Sequence, residues 1–344
     1  MVRAATASSL AVLVALASFA SLACNKENPG STTTSASSSS ATPTTSSAAS
    51  ATPSAAAAVS GAVPAAAGAK AEPVVTFKNV GLATPESVLY DGTSDLYLVS
   101  NINGKPLEAD NNGFISKFTP DGAGATLKWI EGGKNKVTLN APKGMAIVGD
   151  LLYVTDLDTV RIFDRKTGAP AGEVKVPGAV FLNDLAVTSD GRVLVSDTGL
   201  KASATGFAPA GTDAVYAIDK AKKLTTLAKA TDLGAPNGLL SVGDKTWVVT
   251  FGSGELYGLD AKGKKTGAQK LPKGSLDGIV VLPGGDFLIS SWEANAVYRG
   301  RPGGDFTPVI ENVKSPADIG WDPKRSRVLV PLFESNEVQA YEIK

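Results

Sequence analysis

Residues 181–197, FLNDLAVTSDGRVLVSD, contain the unit from which the rest of the chain is built. Two apolar runs flank Asp190-Gly191, and Asp-Gly between apolar runs is a strong hairpin signal because glycine tolerates the positive φ of a tight turn. Asn183 is the polar residue at the start of the first of these strands. The same arrangement recurs along the chain, and the polar residue at this position changes each time.

The recurrence begins near Val74 and continues to Lys344. Each unit has a short motif that starts a first strand, then a second apolar strand, a third strand and a weaker fourth strand. Units of this size, roughly 40–57 residues, are typical of four-stranded propeller blades. The motifs are Pro85-Glu86-Ser87-Val88, Pro142-Lys143-Gly144-Met145, Leu182-Asn183-Asp184-Leu185, Pro236-Asn237-Gly238-Leu239, Leu276-Asp277-Gly278-Ile279 and Pro316-Ala317-Asp318-Ile319.

This pattern predicts an all-β fold over residues 74–344, a six-bladed β-propeller with four-stranded blades. The sixth unit ends at Lys344 with only three strands, and Val74–Lys78 has the pattern of the missing fourth strand. We therefore expect this N-terminal strand to close the ring on the last blade, because closure pairs edges that would otherwise be exposed. No stretch has a sustained helical period, so little helix is expected.

Composition excludes several classes of function. The chain has 33 basic and 33 acidic residues and no basic cluster, which argues against nucleic acid as a partner. It contains no histidine, so histidine bases, Ser-His-Asp triads and histidine metal sites are excluded. The single cysteine, Cys24, allows no intramolecular disulfide. We expect a monomer whose partner is a small-molecule ligand or substrate.

The first 73 residues predict export rather than a folded domain. Residues 1–23 combine a basic start, an apolar core and a small-residue end, as in a secretory signal peptide. Ser21-Leu22-Ala23-Cys24 resembles a bacterial lipobox, so Cys24 is the predicted lipidation site; an ordinary signal peptide with an incidental cysteine is the alternative. Residues 25–73 are rich in Ser, Thr, Ala and Pro, which predicts a disordered linker. The protein would then be secreted across the inner membrane and held in the bacterial cell envelope, in the periplasm or on the outer surface, by its lipid anchor alone.

Four of the six motifs place an oxygen-bearing side chain at the same position: Glu86, Asn183, Asn237 and Asp277. The innermost strands of a propeller start around one end of the central channel, which we call the mouth, so these side chains should converge there. Two carboxylates and two amides are hard oxygen ligands, which suit Ca²⁺ or Mg²⁺ better than zinc. Turn capping by Asn and Asp is the alternative explanation.

The order of these motifs resembles the family of senescence marker protein, regucalcin and gluconolactonase, with luciferin-regenerating enzyme-like members, which are six-bladed propellers. The resemblance covers about residues 74–344. It implies that Glu86, Asn237 and Asp277 bind a divalent metal, Ca²⁺ before Mg²⁺, Mn²⁺ or Zn²⁺. It also implies that Asn183 lies in the substrate pocket and that Asp277 is the catalytic base.

The chain also departs from that family. Its sugar lactonases carry an arginine two residues before the pocket asparagine, where this chain has Phe181. Repeat propellers of the NHL type share the Pro-x-Gly-Leu motif without any metal, and the motif at Lys143 fits that looser pattern too.

The connections between second and third strands should open at the mouth. Two of them are long, residues 101–113 and 198–212, and long loops on compact domains are often functional. Trp292, Phe251 and Phe333 end second strands at this end of the ring. We predict that Trp292 and Phe251 bind substrate, with packing between blades as the alternative.

Three functions are compatible with these motifs. The first is a metal-dependent hydrolase of the lactonase type that acts on a small cyclic ester, with Asp277 assisting proton transfer. The second is a non-catalytic envelope propeller that binds a ligand or a protein partner. A strictosidine synthase-like chemistry is a third and weaker hypothesis. The fold alone cannot choose among them.

Overall fold

The computed structural model describes residues 71–344. The predicted signal peptide, Cys24 and residues 25–70 of the predicted linker lie outside the described residues, and those predictions stay untested. Within the described residues, no helix is long and apolar enough to cross a membrane. The predicted scarcity of helix is confirmed for the same residues, where one short 3-10 helix, Thr231–Leu233, accompanies 26 strands.

The strands form six four-stranded antiparallel sheets, so the predicted six-bladed propeller is confirmed. Sequence order and spatial order agree within the first five blades. Blade 1 contains β2 (Pro85–Asp91), β3 (Leu96–Asn101), β4 (Phe114–Phe118) and β5 (Ala125–Glu131), and blade 2 contains β6 (Pro142–Val148), β7 (Leu151–Asp156), β8 (Thr159–Asp164) and β9 (Pro170–Lys175). Blade 3 contains β10 (Leu182–Val187), β11 (Val193–Asp197), β14 (Ala214–Ile218) and β15 (Leu224–Lys229), and blade 4 contains β16 (Pro236–Val242), β17 (Lys245–Thr250), β18 (Glu255–Leu259) and β19 (Lys265–Lys270). Blade 5 contains β20 (Leu276–Val281), β21 (Phe287–Ser291), β22 (Ala296–Gly300) and β23 (Phe306–Glu311), and blade 6, the last, contains β24 (Gly320–Asp322), β25 (Arg327–Leu332), β26 (Glu337–Glu342) and β1 (Val75–Phe77).

The ring closes as predicted. Strand β1 pairs with β26 of the last blade, with Phe77 opposite Val338. A side-chain contact reinforces the junction between the last and first blades, because the Arg325 guanidinium donates to the Asp95 carboxylate at 2.8 and 2.7 Å. Backbone hydrogen bonds between β1 and β26 therefore close the ring, and the ion pair between Arg325 and Asp95 holds the last blade against the first.

The apolar core lies between the blades rather than in one central mass. Six clusters of buried apolar side chains can be separated, and each combines residues from two neighbouring blades. Tyr153 of blade 2 packs in one cluster with Tyr216 of blade 3, for example. Because every blade is covered on both faces, its second strand can be apolar almost throughout, as in β11, where all five residues are buried.

The start of each first strand is irregular in the same way. In the first five blades the pairing of first and second strands shifts register at the motif, which marks a β-bulge. A bulge re-aims the side chains of the residues that it adds. Glu86, Asn183, Asn237 and Asp277 all lie within these bulges, so the local irregularity is what sets their direction.

Glycine follows the bulge residue where the next blade comes closest. A Cβ on Gly238 would lie 2.1 Å from the Asp277 carbonyl oxygen, and one on Gly278 would lie 2.2 Å from the Ile319 nitrogen. The obstacles are backbone atoms, which cannot rotate away. The motif glycines are thus required by the close approach of neighbouring first strands around the channel.

Two details differ from the sequence-based expectation. The sixth motif does not start a strand of its own blade, since β24 begins only at Gly320; Asp318 instead forms a parallel bridge with Ser87 of blade 1, and its backbone N–H donates to the Glu86 carbonyl at 2.9 Å. The connection at 198–212, expected as a long loop, contains a separate hairpin of β12 (Leu200–Ser203) and β13 (Gly206–Pro209).

Replacing Gly278 with alanine should destabilise the propeller, because the added methyl meets the Ile319 backbone and either blade 5 or blade 6 must shift. We expect a loss of about 1–3 kcal/mol in the free energy of unfolding, as for other overpacked sites. Chemical denaturation measures it. Gly284→Ala in a turn of the same blade is the control, since nothing lies within 4 Å of its added Cβ; equal losses for both variants would contradict the packing argument.

Candidate functional site

The four predicted polar side chains share one unusual property. Each is buried and has one oxygen atom without a hydrogen-bond partner: Glu86 Oε2, Asn183 Oδ1, Asn237 Oδ1 and Asp277 Oδ1. Buried polar atoms are nearly always paired, because leaving one unpaired costs about 1–3 kcal/mol. Four such oxygens at equivalent positions of four blades therefore point to a ligand that accepts their lone pairs.

The remaining polar atoms of two of these side chains are held by neighbours. Asn183 Nδ2 donates to Thr198 Oγ1 at 3.2 Å, and Trp292 Nε1 donates to Asp277 Oδ2 at 2.8 Å. Each bond fixes one end of its amide or carboxylate. The orientation of the free oxygen is set in this way before any ligand binds.

Hydroxyl groups on the second strands hold the bulges in place. Ser196 Oγ accepts from the Asp184 backbone N–H at 2.9 Å and donates to the Asn237 carbonyl of the next blade at 2.7 Å. Ser290 makes the same pair of contacts, to Gly278 and Ala317, at 2.8 Å each. Each hydroxyl therefore fixes a bulge in its own blade and ties it to the next blade.

The acidic side chains of different blades interact electrostatically. Burial raises the pKa of Glu86 well above its usual value, and the charges of Asp277 and Asp318 raise it further. Burial likewise raises the pKa of Asp277, with a second contribution from the charge of Asp318. Glu86 lies on blade 1, Asp277 on blade 5 and Asp318 in the last motif, so side chains far apart in sequence share one low-dielectric space.

Asp184 and Asp318 lie one residue further along their motifs and have hydrogen-bonding roles, as expected for residues that point into the blades. Asp184 accepts from the backbone N–H groups of Leu185 and Leu239 at 2.6 and 2.7 Å, which ties blade 3 to blade 4. Asp318 accepts from the Ser87 hydroxyl at 2.5 Å, which ties the last motif to blade 1. Burial raises the pKa of Asp318 to about 7.

Lys143 is a member of the site that the sequence analysis did not assign. It occupies the same position in its bulge as Asn237 and Asp277 do in theirs, and it is 1% exposed. Its ammonium donates to the Ala141 carbonyl at 2.9 Å and lies 4.9 Å from the centre of the Phe181 ring. Burial lowers its pKa to about 8, although the charge of Glu86 opposes that shift. The sequence could have identified Lys143 by its place in the repeat, because it is the second residue of its motif, as Asn237 and Asp277 are of theirs.

Aromatic side chains stand at the ends of the second strands. Trp292 packs edge-on against Phe251, with ring centres 5.7 Å apart, and in a tilted arrangement against Phe333, with ring centres 5.0 Å apart. On blade 3, Phe181 packs against Phe207 of the extra hairpin at 5.6 Å, and Phe207 is 42% exposed. Trp292 and Phe251, predicted to bind substrate, are thus neighbours, and the Trp292 indole reaches Asp277 directly. Their contact with a substrate stays a prediction.

The predicted metal ligands are Glu86, Asn237 and Asp277, a mixed set of carboxylates and an amide. Within residues 71–344 no three acidic, cysteine or histidine side chains are arranged to hold an ion by themselves. The predicted set contains only two carboxylates, Glu86 and Asp277, and relies on an amide, Asn237, for the third ligand. Unpaired amide and carboxylate oxygens are the donors that hard cations take. In donor chemistry this mixed carboxylate and amide set therefore suits a hard divalent cation such as Ca²⁺, and the binding of one stays a prediction.

Similarity to known proteins is found in structure and not in sequence. No protein-family model and no curated protein sequence matches the chain. Among solved structures, a gluconolactonase from Xanthomonas campestris superposes with a TM-score of 0.59 at 17% identity, over 76% of this chain and 87% of that one. A luciferin-regenerating enzyme gives 0.59 at 14% identity, over 78% and 94%. A virginiamycin B lyase from Staphylococcus aureus gives 0.52 at 14% identity, over 78% and 99%.

These neighbours confirm the predicted resemblance at the level of architecture. The chain has the six-bladed fold of gluconolactonase and luciferin-regenerating enzyme, which are propellers of the senescence marker protein type. A lyase with a different chemistry has the same scaffold, so what this protein does has to be argued from the residues at its mouth.

The buried carboxylates should make the metal-free protein less stable as pH rises. A carboxyl whose folded pKa is raised binds its proton more tightly in the folded state, so its stabilising contribution is present below its unfolded pKa and is lost as pH rises through the folded pKa. Asp318 has a folded pKa of about 7, and those of Glu86 and Asp277 are also raised. The melting temperature of the chelator-treated protein should therefore fall between about pH 5 and about pH 8.

Asp277→Asn removes one of these carboxyls and should flatten that dependence. Asp286→Asn in the same blade is the matched control, because hydrogen bonds from Arg301 and Arg299 lower the pKa of Asp286 and place its titration below this window. Differential scanning calorimetry across the pH series measures both variants. A melting temperature of the metal-free wild type that rises over the window would contradict the electrostatic description.

Proposed function

We propose that this propeller is a divalent-cation-dependent hydrolase of the lactonase type that acts on a small cyclic ester at the mouth. The observation that carries the proposal is the set of four buried oxygens without partners, one on each of four blades. The gluconolactonase-like fold supports the same reaction class. Ester hydrolysis with a metal and a carboxylate requires no histidine, which agrees with a chain that has none.

Glu86, Asn237 and Asp277 are the residues that would hold the cation, and Ca²⁺ is the first choice because all three offer oxygen. A bound divalent cation would polarise the ester carbonyl and activate water. It would also favour the ionised forms of Glu86 and Asp277, whose pKa values are raised in the metal-free protein.

The chain's own residues supply positioning and proton transfer. Asp277 Oδ2 is fixed by the Trp292 indole, so Oδ1 is free to face the cation, and the Asp277 carboxylate would assist removal of a proton from attacking water. Asn183 is fixed through its amide nitrogen and presents its oxygen to a substrate hydroxyl. Trp292 and Phe251 form an apolar wall beside them.

The histidine count favours hydrolysis over the chemistry of the lyase neighbour. A virginiamycin B lyase in which one histidine is replaced by alanine is catalytically inactive. This chain has no histidine at any position, so it cannot supply that group. The shared scaffold therefore does not extend to the lyase reaction.

A non-catalytic propeller that binds a ligand is the second candidate. Phe181 favours it, because this apolar ring stands where sugar lactonases of the resembled family carry an arginine. This candidate shares the polar mouth with the hydrolase and differs in having no turnover.

Calorimetric titration with Ca²⁺, Mg²⁺, Mn²⁺ and Zn²⁺ tests the proposal. Wild type should bind at least one of these cations, and a concentration of 100 times its Kd should raise the free energy of unfolding by about 2.7 kcal/mol. Asp277→Ala should abolish binding and turnover of a panel of aldonolactones and aliphatic lactones. Asp260→Ala, at an exposed turn of blade 4, is the control. Absence of binding by wild type eliminates the metal-dependent hydrolase, and binding without turnover favours the second candidate.

Trp292→Phe tests whether the indole hydrogen bond tunes Asp277. The variant keeps an aromatic ring against Phe251 and Phe333 but removes the 2.8 Å bond. A hydrogen bond to a charged group contributes about 1.5–3 kcal/mol, so kcat should fall roughly 10- to 100-fold while KM changes little. Phe333→Leu alters the same wall without touching Asp277 and should chiefly affect KM. The reverse pattern would assign Trp292 to substrate packing alone.

A further inference from the structure

The described residues contain two buried cationic side chains, and they differ in their partners. Arg165 is 5% exposed and donates to the carboxylates of Asp91 at 2.8 Å and Asp150 at 3.2 Å. Lys143 is 1% exposed, and within the described part of the chain no carboxylate forms an ion pair with its ammonium, although the charges of Glu86 and Asp156 act on it. The ammonium donates to the Ala141 carbonyl at 2.9 Å, whereas an ammonium has three N–H donors.

Burial of an ammonium that forms no ion pair is costly, because the charge loses its hydration shell. The Phe181 ring at 4.9 Å offers a cation–π contact, which contributes about 0.5–2 kcal/mol. Neither this ring nor one carbonyl replaces the hydration of a full charge. The remaining N–H donors of Lys143 are therefore available to a ligand.

The position of Lys143 places those donors at the mouth. Its bulge is the second in the ring, between those of Glu86 and Asn183, and its charge acts on Glu86 although the two do not pair. Thr155 of the same blade donates to the Asn183 carbonyl, which fixes the second motif against the third. The Lys143 ammonium also lies 4.9 Å from the centre of the Phe181 ring, two residues before Asn183, so the second and third motifs are neighbours around the mouth.

We propose that Lys143 selects the ligand by charge: the mouth binds an organic hydroxycarboxylate whose carboxylate accepts from the Lys143 ammonium while its hydroxyl groups face Asn183. This proposal deepens the proposed lactonase function and rests on it for the chemical class of the ligand. Addition of water to a lactone opens the ring and yields a hydroxycarboxylate and one proton, so the product has the chemistry that Lys143 recognises. Lys143 and the proposed cation together would offset the repulsion between such an anion and the acidic side chains of the mouth.

The test compares a hydroxycarboxylate with its neutral amide. Glycolate, lactate and gluconate, and the amide of each, are titrated by calorimetry into full-length wild type and into Lys143→Met. Wild type should prefer a carboxylate over its amide, and Lys143→Met should lose at least tenfold in affinity for the carboxylate with little change for the amide. Lys143→Arg keeps the charge and should retain part of the preference. If wild type has no carboxylate preference, or if Lys143→Met retains it, the proposal is overturned.

Two controls separate this result from loss of structure and from failure of the hydrolase. Lys117, on the third strand of blade 1 and away from the mouth, also lies over an aromatic ring, with its ammonium nitrogen 3.4 Å from the centre of the Trp129 ring. Lys117→Met should leave every affinity unchanged. Cation titration of Lys143→Met should show an affinity equal to or tighter than that of wild type, since a neighbouring positive charge is gone. Carboxylate selectivity without lactone turnover would refute the hydrolase and retain the role of Lys143. Turnover that is identical in Lys143→Met, with no selectivity, would do the opposite.

Discussion

The structure depends on how closely six first strands approach one another around a single axis. The backbone of one bulge lies so near the next that Gly238 and Gly278 have no room for a Cβ. The hydroxyls of Ser196 and Ser290 use this proximity to join each bulge to the following blade. The polar side chains of the bulges are consequently carried on a rigid inner ring and not on mobile loops.

This crowding has an electrostatic consequence. Glu86, Asp277 and Asp318 are buried together, and burial raises the pKa of each. The hydrophobic clusters between the blades supply the stability that such a mouth lacks, since each cluster joins two blades away from the axis. The stabilising apolar contacts therefore lie between the blades, outside the channel, whereas the buried polar groups inside the channel lower stability. This division is common where a binding site must be preorganised.

Much of the fold could be predicted from the sequence because its signals are local and repeated. Asp190-Gly191 between apolar runs indicated a hairpin, and β1 paired with the last blade as expected from the missing strand. The sixth motif was the exception. Pro316–Ile319 looked like the start of a strand, but Asp318 bonds to blade 1 instead, and a pairing between blades leaves no local pattern. The hairpin within 198–212 was also missed, since Gly206 and its neighbours resemble an ordinary polar loop.

By itself, the sequence determined the number of blades, the closure of the ring and the four polar residues at the motif position, because each of these depends on a repeated local pattern. The absence of histidine also limits the chemistry that the chain can perform. Only the tertiary structure decided that the free oxygens of Glu86, Asn183, Asn237 and Asp277 have no internal partner, and that Lys143 is buried among the same motifs without forming an ion pair. Whether a polar atom is satisfied depends on groups that other blades bring to it, and that information does not exist in any single segment of the chain.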